Sequence, residues 1–160
     1  MSLAVSNRLG DLPVPSPPCE TCGFQLWHPI APLSVTDVGL YDDARFPGRM
    51  IVGLRGHYDH FDELPVEVAA AFMVDVQRIS GILRKGLGAH RVNVAILGNQ
   101  EPHVHAHVIP RYSVREPLPK KSPWQDPRTR EVLEAVERED IIQRICWWLD
   151  HPSSTYDRRD

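Results

Sequence analysis

Polar and apolar residues alternate along several short stretches of this chain. Alternation indicates β-strands, because successive side chains of a strand point to opposite faces. The pattern predicts strands over residues 33–41, 50–55 and 90–97, and a fourth strand between Pro102 and Pro110. The segment 42–49 contains Asp, Pro and Gly and predicts a turn, so the first two strands should form a hairpin.

Two longer segments place apolar residues at intervals of three and four, which is the spacing of an amphipathic helix. The first begins near Pro65, a residue that suits the first turn of a helix, and ends at the glycines of residues 86–88. The second covers about residues 129–149. Together the elements predict an α+β domain with an antiparallel sheet, one main helix packed on it and a C-terminal helix.

The composition fits one globular domain, since 160 residues with 42% hydrophobic and 24% charged residues are enough for a core. We expect a Pro-rich arm over 1–18, the main domain over 19–112, and a Pro-rich segment with the C-terminal helix over 113–160 packed on that domain. Within the Pro-rich segment, Trp124 could stack on a ligand ring or pin the segment to the body of the domain, and the second role is the commoner one.

Charge and hydropathy exclude some function classes. A net charge of −3 provides no general attraction to nucleic acid or to anionic membranes. No apolar run has the length of a membrane span, and the N-terminus lacks the pattern of a signal peptide. We therefore expect a cytoplasmic protein with a small-molecule partner, no nucleic acid and no membrane. Three cysteines do not make a disulfide framework in a chain of this length.

Histidines occupy every second position of the fourth predicted strand. His103, His105 and His107 alternate with small or β-branched apolar residues. In a strand, the three imidazoles would share one face while the apolar residues pack on the core. Pro102 and Pro110 bracket the stretch, as suits strand ends. The pattern predicts a strand with a chemical face, the alternative being a half-exposed strand that carries histidines by chance.

Three histidines on one strand face suit a division of labour better than one shared metal ion. Same-face neighbours lie roughly 6.8 Å apart, so all three reach one ion only if the strand bends. A neutral imidazole is a competent nucleophile towards phosphorus near pH 7, because its ordinary pKa is about 6.5. Its neighbours can then bind phosphate oxygens or a metal. A metalloenzyme whose histidines all bind metal is the alternative.

The stretch from His103 to Ile109, His-Val-His-Ala-His-Val-Ile, resembles the histidine triad (HIT) motif. The segments 41–47, 93–99 and 102–111 are also similar to small bacterial HIT proteins of the diadenosine tetraphosphate hydrolase-like branch. The resemblance covers about residues 19–112. It implies a HIT-like α+β fold and a homodimer.

The resemblance also implies a nucleotide phosphohydrolase or nucleotidyltransferase. His105 would attack the α-phosphate of a dinucleoside polyphosphate or a nucleoside phosphoramidate and form a nucleotidyl-histidine intermediate, which water then cleaves. His107 would hold phosphate oxygens and orient His105. A nucleotide-binding module that keeps the fold and a zinc ion but has little turnover is the alternative function.

Five further residues are candidates for substrate binding. The resemblance implies that Asn99 contacts the phosphates, with Asn93 beside it, and that Asp43 binds the ribose or base. Asn99 and Asn93 could equally be turn or strand-end residues, and for Asp43 a turn role is the commoner one. Gln100 stands where many relatives have a Ser or Thr that assists the leaving group, and glutamine is a poor acid. Arg111 follows the histidine strand and could supply positive charge to the phosphate path.

Cys19 and Cys22 have the spacing of a zinc knuckle. A thioredoxin-like redox role would need a helix that starts at the first cysteine, and two reduced cysteines in a loop are the remaining alternative. The resemblance extends to HIT proteins and galactose-1-phosphate uridylyltransferases that bind zinc with two cysteines and two histidines. It implies a structural zinc held by both cysteines, His103 and His57, with His60 as the rival of His57.

Overall fold

The computed structural model describes residues 17–152, which form a five-stranded antiparallel sheet and two helices. The elements are β1 His28–Pro32, β2 Thr36–Leu40, β3 Met50–Leu54, α1 Val66–Gly86, β4 Arg91–Ile96, β5 His105–Arg111 and α2 Ala135–Asp150. Short 3-10 helices lie at Phe61–Glu63 and Pro123–Gln125. The predicted α+β class and antiparallel sheet are confirmed. Most of the predicted Pro-rich arm lies outside the described residues.

The strands are ordered β1-β2-β3-β5-β4, and α1 packs on one face of the sheet. Alternate residues of the central strands, among them Val52, Ala106 and Val108, are fully buried against the apolar side of α1. Residues from the C-terminal part of the chain join the same core, including Leu133 and Ile145. The opposite face of the central strands is therefore free for polar side chains.

A buried carboxylate joins the helix to the sheet. Asp75 on α1 is 3% exposed and accepts hydrogen bonds from the hydroxyls of Ser34 and Thr36, each at 2.8 Å. The backbone N–H of Val35 donates to the same carboxylate at 3.1 Å. Because a buried carboxylate needs such donors, these bonds fix the β1–β2 turn on the side of the helix.

Several elements differ from the predicted ones. β1 was missed because its two prolines argue against a strand, and the structure tolerates them because β1 is an edge strand with a bulge between Pro29 and Ala31. The strand predicted over 33–41 is shortened by the turn that precedes β2. The C-terminal helix begins at Ala135 rather than near 129, because the preceding segment makes hydrogen bonds to the β2–β3 turn instead.

The histidine strand is also shifted towards the C-terminus. β5 begins at His105, so His103 lies before the strand. The prediction that all three histidines share one face of a strand is therefore wrong. Pro110 lies inside β5 rather than at its end, paired with Val92 of β4. β3 pairs only with residues 105–108, so the proline stands where β5 has a single neighbouring strand and its missing N–H is tolerated.

No helix in residues 17–152 is long and apolar enough to cross a membrane. The cytoplasmic location, the homodimer and the absence of nucleic-acid and membrane partners stay predictions.

Two glycine substitutions should change stability in opposite directions. A Cβ at Gly39 would stand 2.8 Å from the backbone oxygen of His28, so Gly39→Ala should force β1 away from β2 and lower the free energy of unfolding by roughly 1–3 kcal/mol. A Cβ at Gly81, inside α1, would meet no atom of another element within 4 Å, so Gly81→Ala should raise it by about 0.5–1 kcal/mol. Urea unfolding of both variants measures the free energy of unfolding. If both variants shifted it equally in one direction, the packing described around Gly39 and Gly81 would be wrong.

Candidate functional site

The pairing of β5 with β3 places two histidines on the sheet face opposite α1. Gly53 pairs with His105 and Ile51 pairs with His107. Both imidazoles line a cavity of about 490 Å³, a volume that suits a small-molecule ligand. His105 is 4% exposed and His107 is partly buried. The predicted chemical face therefore exists for these two histidines.

His105 is held as a neutral imidazole with one nitrogen free. Its Nδ1 donates a hydrogen bond to the backbone carbonyl of His103 at 2.7 Å. A carbonyl can only accept, so Nδ1 carries the proton and Nε2 keeps its lone pair. Burial lowers the pKa of His105 below its ordinary value. The ring therefore has the protonation state of a nucleophile near pH 7.

A phenylalanine from the N-terminal segment covers His105. The ring of Phe24 stacks on His103 at 4.4 Å and on His105 at 5.2 Å between ring centroids. A Cβ at Gly53, the β3 residue that pairs with His105, would stand 2.8 Å from the Phe24 ring. Glycine at this position is thus what lets the aromatic ring pack over the histidines.

His107 has the opposite arrangement of protons. Its Nδ1 lies 3.1 Å from Nη2 of Arg49, which is 7% exposed. A guanidinium has no acceptor, so His107 Nδ1 must accept and Nε2 must carry the proton. Burial, together with the charge of Arg49, lowers the pKa of His107 to about 4. Above that pH, His107 is a neutral hydrogen-bond donor.

Arg49 is itself held by two neighbours. Its Nη1 donates to Asp43 at 3.0 Å, and its guanidinium lies 4.1 Å from the centroid of the Tyr41 ring. Asp43 is fully buried and also accepts two bonds of 2.9 Å from the side chain of Arg45. Burial alone would raise the pKa of Asp43, but the hydrogen bonds and the charge of Arg45 keep this pKa below its ordinary value. Asp43 is therefore a carboxylate that fixes arginines and does not line the cavity.

The other predicted substrate residues divide into two groups. Asn99 and Gln100, in the loop before β5, line the cavity. Asn93 and Arg111 do not, because the segment after β5 folds back over them. Arg111 donates to Asn93 Oδ1 at 2.6 Å and pairs with the buried carboxylate of Glu116. Glu116 therefore neutralises the charge of Arg111 at a place outside the cavity.

Aromatic residues form the open side of the cavity. Trp27 stacks on Tyr41 with ring centroids 4.9 Å apart, and Trp124 presents its ring to His107 at 6.4 Å. Both tryptophans line the cavity and are about half exposed, at 52% and 55%. Trp124 therefore stands at the cavity wall, within the same chain as the histidines.

Four further side chains form a compact donor cluster beside the cavity. The ligand atoms of Cys19, Cys22, His57 and His103 all lie within 4.8 Å of one another. Cys19 Sγ is 3.5 Å from His57 Nδ1, and Cys22 Sγ is 3.5 Å from His103 Nδ1. Ordinary bond lengths in a tetrahedral zinc site put sulfur and nitrogen ligands about 3.6 Å apart. The donor set and its spacing thus fit a closed tetrahedral zinc site.

The outer hydrogen bonds of both histidines favour the same conclusion. His57 Nε2 lies 2.7 Å from Asp59 Oδ1, and His103 Nε2 lies 2.7 Å from the carbonyl of Leu54. An Nε2–H bonded to an acceptor leaves Nδ1 unprotonated, which is the form that ligates metal. The geometry places His57 in the cluster, and His60 is not part of it.

The cysteine segment is a turn rather than the start of a helix. Gly23 N–H donates to the Cys19 carbonyl at 2.7 Å, and Cys19 N–H donates to the Phe24 carbonyl at 2.9 Å. The backbone N–H of Cys22 lowers the pKa of the Cys19 thiol to about 6. A redox pair of the thioredoxin type would need a helix at this point, so the structure favours a metal-binding knuckle.

Four residues of the site were not predicted from the sequence, namely Phe24, Trp27, Tyr41 and Arg49. Arg49 ends the predicted turn over 42–49, and that turn pattern does not indicate a contact with His107. The aromatic residues had no signal either, because their role depends on contacts between segments far apart in the chain.

Comparisons with known proteins find a similar domain and a similar fold. Residues 38–114 match the family model of the HIT domain. An uncharacterized HIT-like protein of Methanocaldococcus jannaschii is 33% identical over 72 residues, which are 42% of this chain and 56% of that protein. The chain thus spans little more than half the length of this relative.

Two solved structures share the fold. A histidine triad protein from Sinorhizobium meliloti has a TM-score of 0.66 at 26% identity, over 74% of this chain and 86% of that one. A zinc-bound histidine triad family protein from Mycobacterium smegmatis has a TM-score of 0.60 at 24% identity, over 80% and 87% of the two chains.

Proposed function

This chain contains a HIT domain, which places it in the histidine triad (HIT) family, and we propose that it cleaves nucleotide conjugates at the α-phosphate. The substrate is a dinucleoside polyphosphate or a nucleoside phosphoramidate, and the enzyme acts as a phosphohydrolase or nucleotidyltransferase. One observation carries the proposal. His105 is buried, its Nδ1 is tied to a carbonyl, and it lines a cavity of ligand size.

In the first step, Nε2 of His105 attacks the α-phosphorus. A nitrogen–phosphorus bond forms as the bond from phosphorus to the leaving group breaks. The hydrogen bond from Nδ1 to the His103 carbonyl supports this step, since it stabilises the positive charge that develops on the imidazole. In the second step, water attacks the nucleotidyl-histidine, the nitrogen–phosphorus bond breaks, and a nucleoside monophosphate leaves.

His107 and the β4–β5 loop stabilise the phosphate. The Nε2–H of His107 donates to a non-bridging oxygen, and the nearby guanidinium of Arg49 offsets the charge of the phosphoryl group. The amide of Asn99 lines the same cavity and can donate to the phosphate chain. Trp27 and Trp124 offer partly exposed rings on which a nucleobase can stack.

We further propose that Cys19, Cys22, His57 and His103 hold one structural zinc ion. The Mycobacterium smegmatis relative is zinc-bound, and the donor spacing here fits tetrahedral coordination. A closed site of this kind supplies folding energy rather than a reacting group. It would fasten the N-terminal knuckle, and with it Phe24, against the catalytic histidines.

One observation favours the alternative of a binding module with little turnover. Gln100 lines the cavity, whereas the family resemblance implies a hydroxyl residue at this position, and a glutamine cannot protonate a leaving group. Under this alternative the fold, the metal cluster and nucleotide binding remain, but the covalent step is slow. The activity measurement below distinguishes the two functions.

We predict that His105→Ala abolishes turnover without harming the fold. Wild type incubated with a dinucleoside polyphosphate or a nucleoside phosphoramidate should release a nucleoside monophosphate, and His105→Ala should be slower by roughly 10³-fold or more. Chromatography of the products measures the rate, and mass spectrometry should find a nucleotidyl adduct on His105. His60→Ala is the matched control, because this histidine belongs to neither the cavity nor the metal cluster. Equal rates in wild type and His105→Ala would refute the assigned nucleophile, and tight binding without release would favour the module.

Metal analysis tests the zinc proposal. Freshly purified wild type should contain one zinc per chain, and Cys19→Ser should lose it, with a fall in the free energy of unfolding of roughly 3 kcal/mol or more. Cys146→Ser is the matched control, because this cysteine lies in α2 and outside the cluster, and it should keep the metal. Wild type without zinc, or equal zinc in Cys19→Ser, would overturn the site.

A further inference from the structure

We propose that Arg49 is a positioning residue that holds His107 with its Nε2–H directed to the cavity as a neutral hydrogen-bond donor. The proposal rests on the proposed function only for the identity of the acceptor, a phosphate oxygen of the substrate. The proton arrangement of His107 follows from the contacts of this chain alone.

The contact between the two side chains allows one tautomer. Nη2 of Arg49 lies 3.1 Å from Nδ1 of His107. All five N–H groups of a guanidinium donate and none accepts. A proton on His107 Nδ1 would therefore face a donor, so the stable arrangement places the proton on Nε2. An imidazolium is disfavoured for the same reason, and by the positive charge beside it.

The environment of Arg49 differs from that of an arginine with a structural role. Arg111, which lies away from the cavity, directs its donors to Glu116, Asn93 and two backbone carbonyls. Arg49 is almost as buried, but its Nε has no hydrogen-bond partner among the described residues. A buried donor without a partner costs free energy, so this arginine is not placed to maximise stability. Its two terminal nitrogens are directed to Asp43 and to His107.

Two side chains hold Arg49 in place. Asp43 is fully buried and binds Nη1, while the Tyr41 ring packs against the guanidinium at 4.1 Å. Arg45 occupies the other positions of the Asp43 carboxylate but does not line the cavity. The buried carboxylate of Asp43 therefore orients Arg49, and Arg49 in turn orients His107 at the wall of the cavity.

The charges around His107 are consistent with a neutral donor. Among the described residues that line the cavity, Arg49 is the one with a permanent positive charge, and Glu101 carries a negative one. The other titratable neighbours of His107 are His105, on the same strand, and Tyr41, after β2. A single arginine can thus attract a phosphate and keep the adjacent imidazole neutral, in a chain whose net charge is −3.

The experiment reads the tautomer directly. Long-range proton–nitrogen NMR spectra of the histidine rings should identify wild-type His107 as the Nε2–H form with a pKa near 4. Arg49→Met keeps an apolar stem but removes the donor and the charge, so the tautomer should become mixed and the pKa of His107 should rise. For the proposed reaction, kcat should fall about 10- to 100-fold with a smaller change in KM, and Arg49→Lys should recover part of the loss.

Arg45→Met is the matched control, because it also removes an arginine from Asp43 but leaves the contact with His107 in place. It should preserve the His107 tautomer. An Nδ1–H form in wild type would overturn the proposal, as would an unchanged tautomer and pKa in Arg49→Met. If Arg49→Met fails to fold, the wild-type spectra still decide, because an Nδ1–H form of His107 overturns the proposal. These spectra need no substrate, so a wild type without turnover refutes the proposed function and leaves this inference separately testable.

Discussion

The register of β5 against β3 is the constraint on which the rest of the site depends. Ala106 and Val108 are fully buried against α1, and the side-chain period of a strand is two. His105 and His107 must therefore face the other side of the sheet. A slip of one residue would bury both imidazoles in an apolar core and expose the apolar residues, at a large cost in desolvation. The core thus fixes which way the histidines point.

Local partners then make the three histidines chemically different. His103 Nε2 is bonded to the Leu54 carbonyl, which turns Nδ1 towards the cysteines. His105 Nδ1 is bonded to the His103 carbonyl, which leaves Nε2 as the free base. His107 Nδ1 faces Arg49, which leaves Nε2 as the donor. One residue type serves three purposes because each ring has a different fixed neighbour.

The same chain of contacts links the metal cluster to the cavity. His103 belongs to the cluster through its ring and holds His105 through its carbonyl. Phe24 follows the cysteine turn and stacks on both rings. A change at the N-terminal knuckle therefore reaches the proposed nucleophile through two separate contacts, although the cluster itself does not line the cavity.

The local parts of this arrangement could be predicted from the sequence. Alternation around His105 and His107 and the spacing of Cys19 and Cys22 are short-range patterns, and both correspond to groups that the structure assembles. Arg49 could not be found this way, because a turn pattern over 42–49 says nothing about a contact with a residue 58 positions away. Arg111 shows the converse. It follows the histidine strand in sequence, but Glu116 folds back over it and compensates its charge.

The stereochemical course at phosphorus is the most direct test of the central claim, that a histidine on β5 takes part covalently. A substrate whose α-phosphorus is made chiral with sulfur and labelled oxygen would be hydrolysed, and the configuration of the product determined. Two successive in-line displacements, first by His105 and then by water, predict overall retention. Overall inversion would mean a single direct attack by water and would contradict the account.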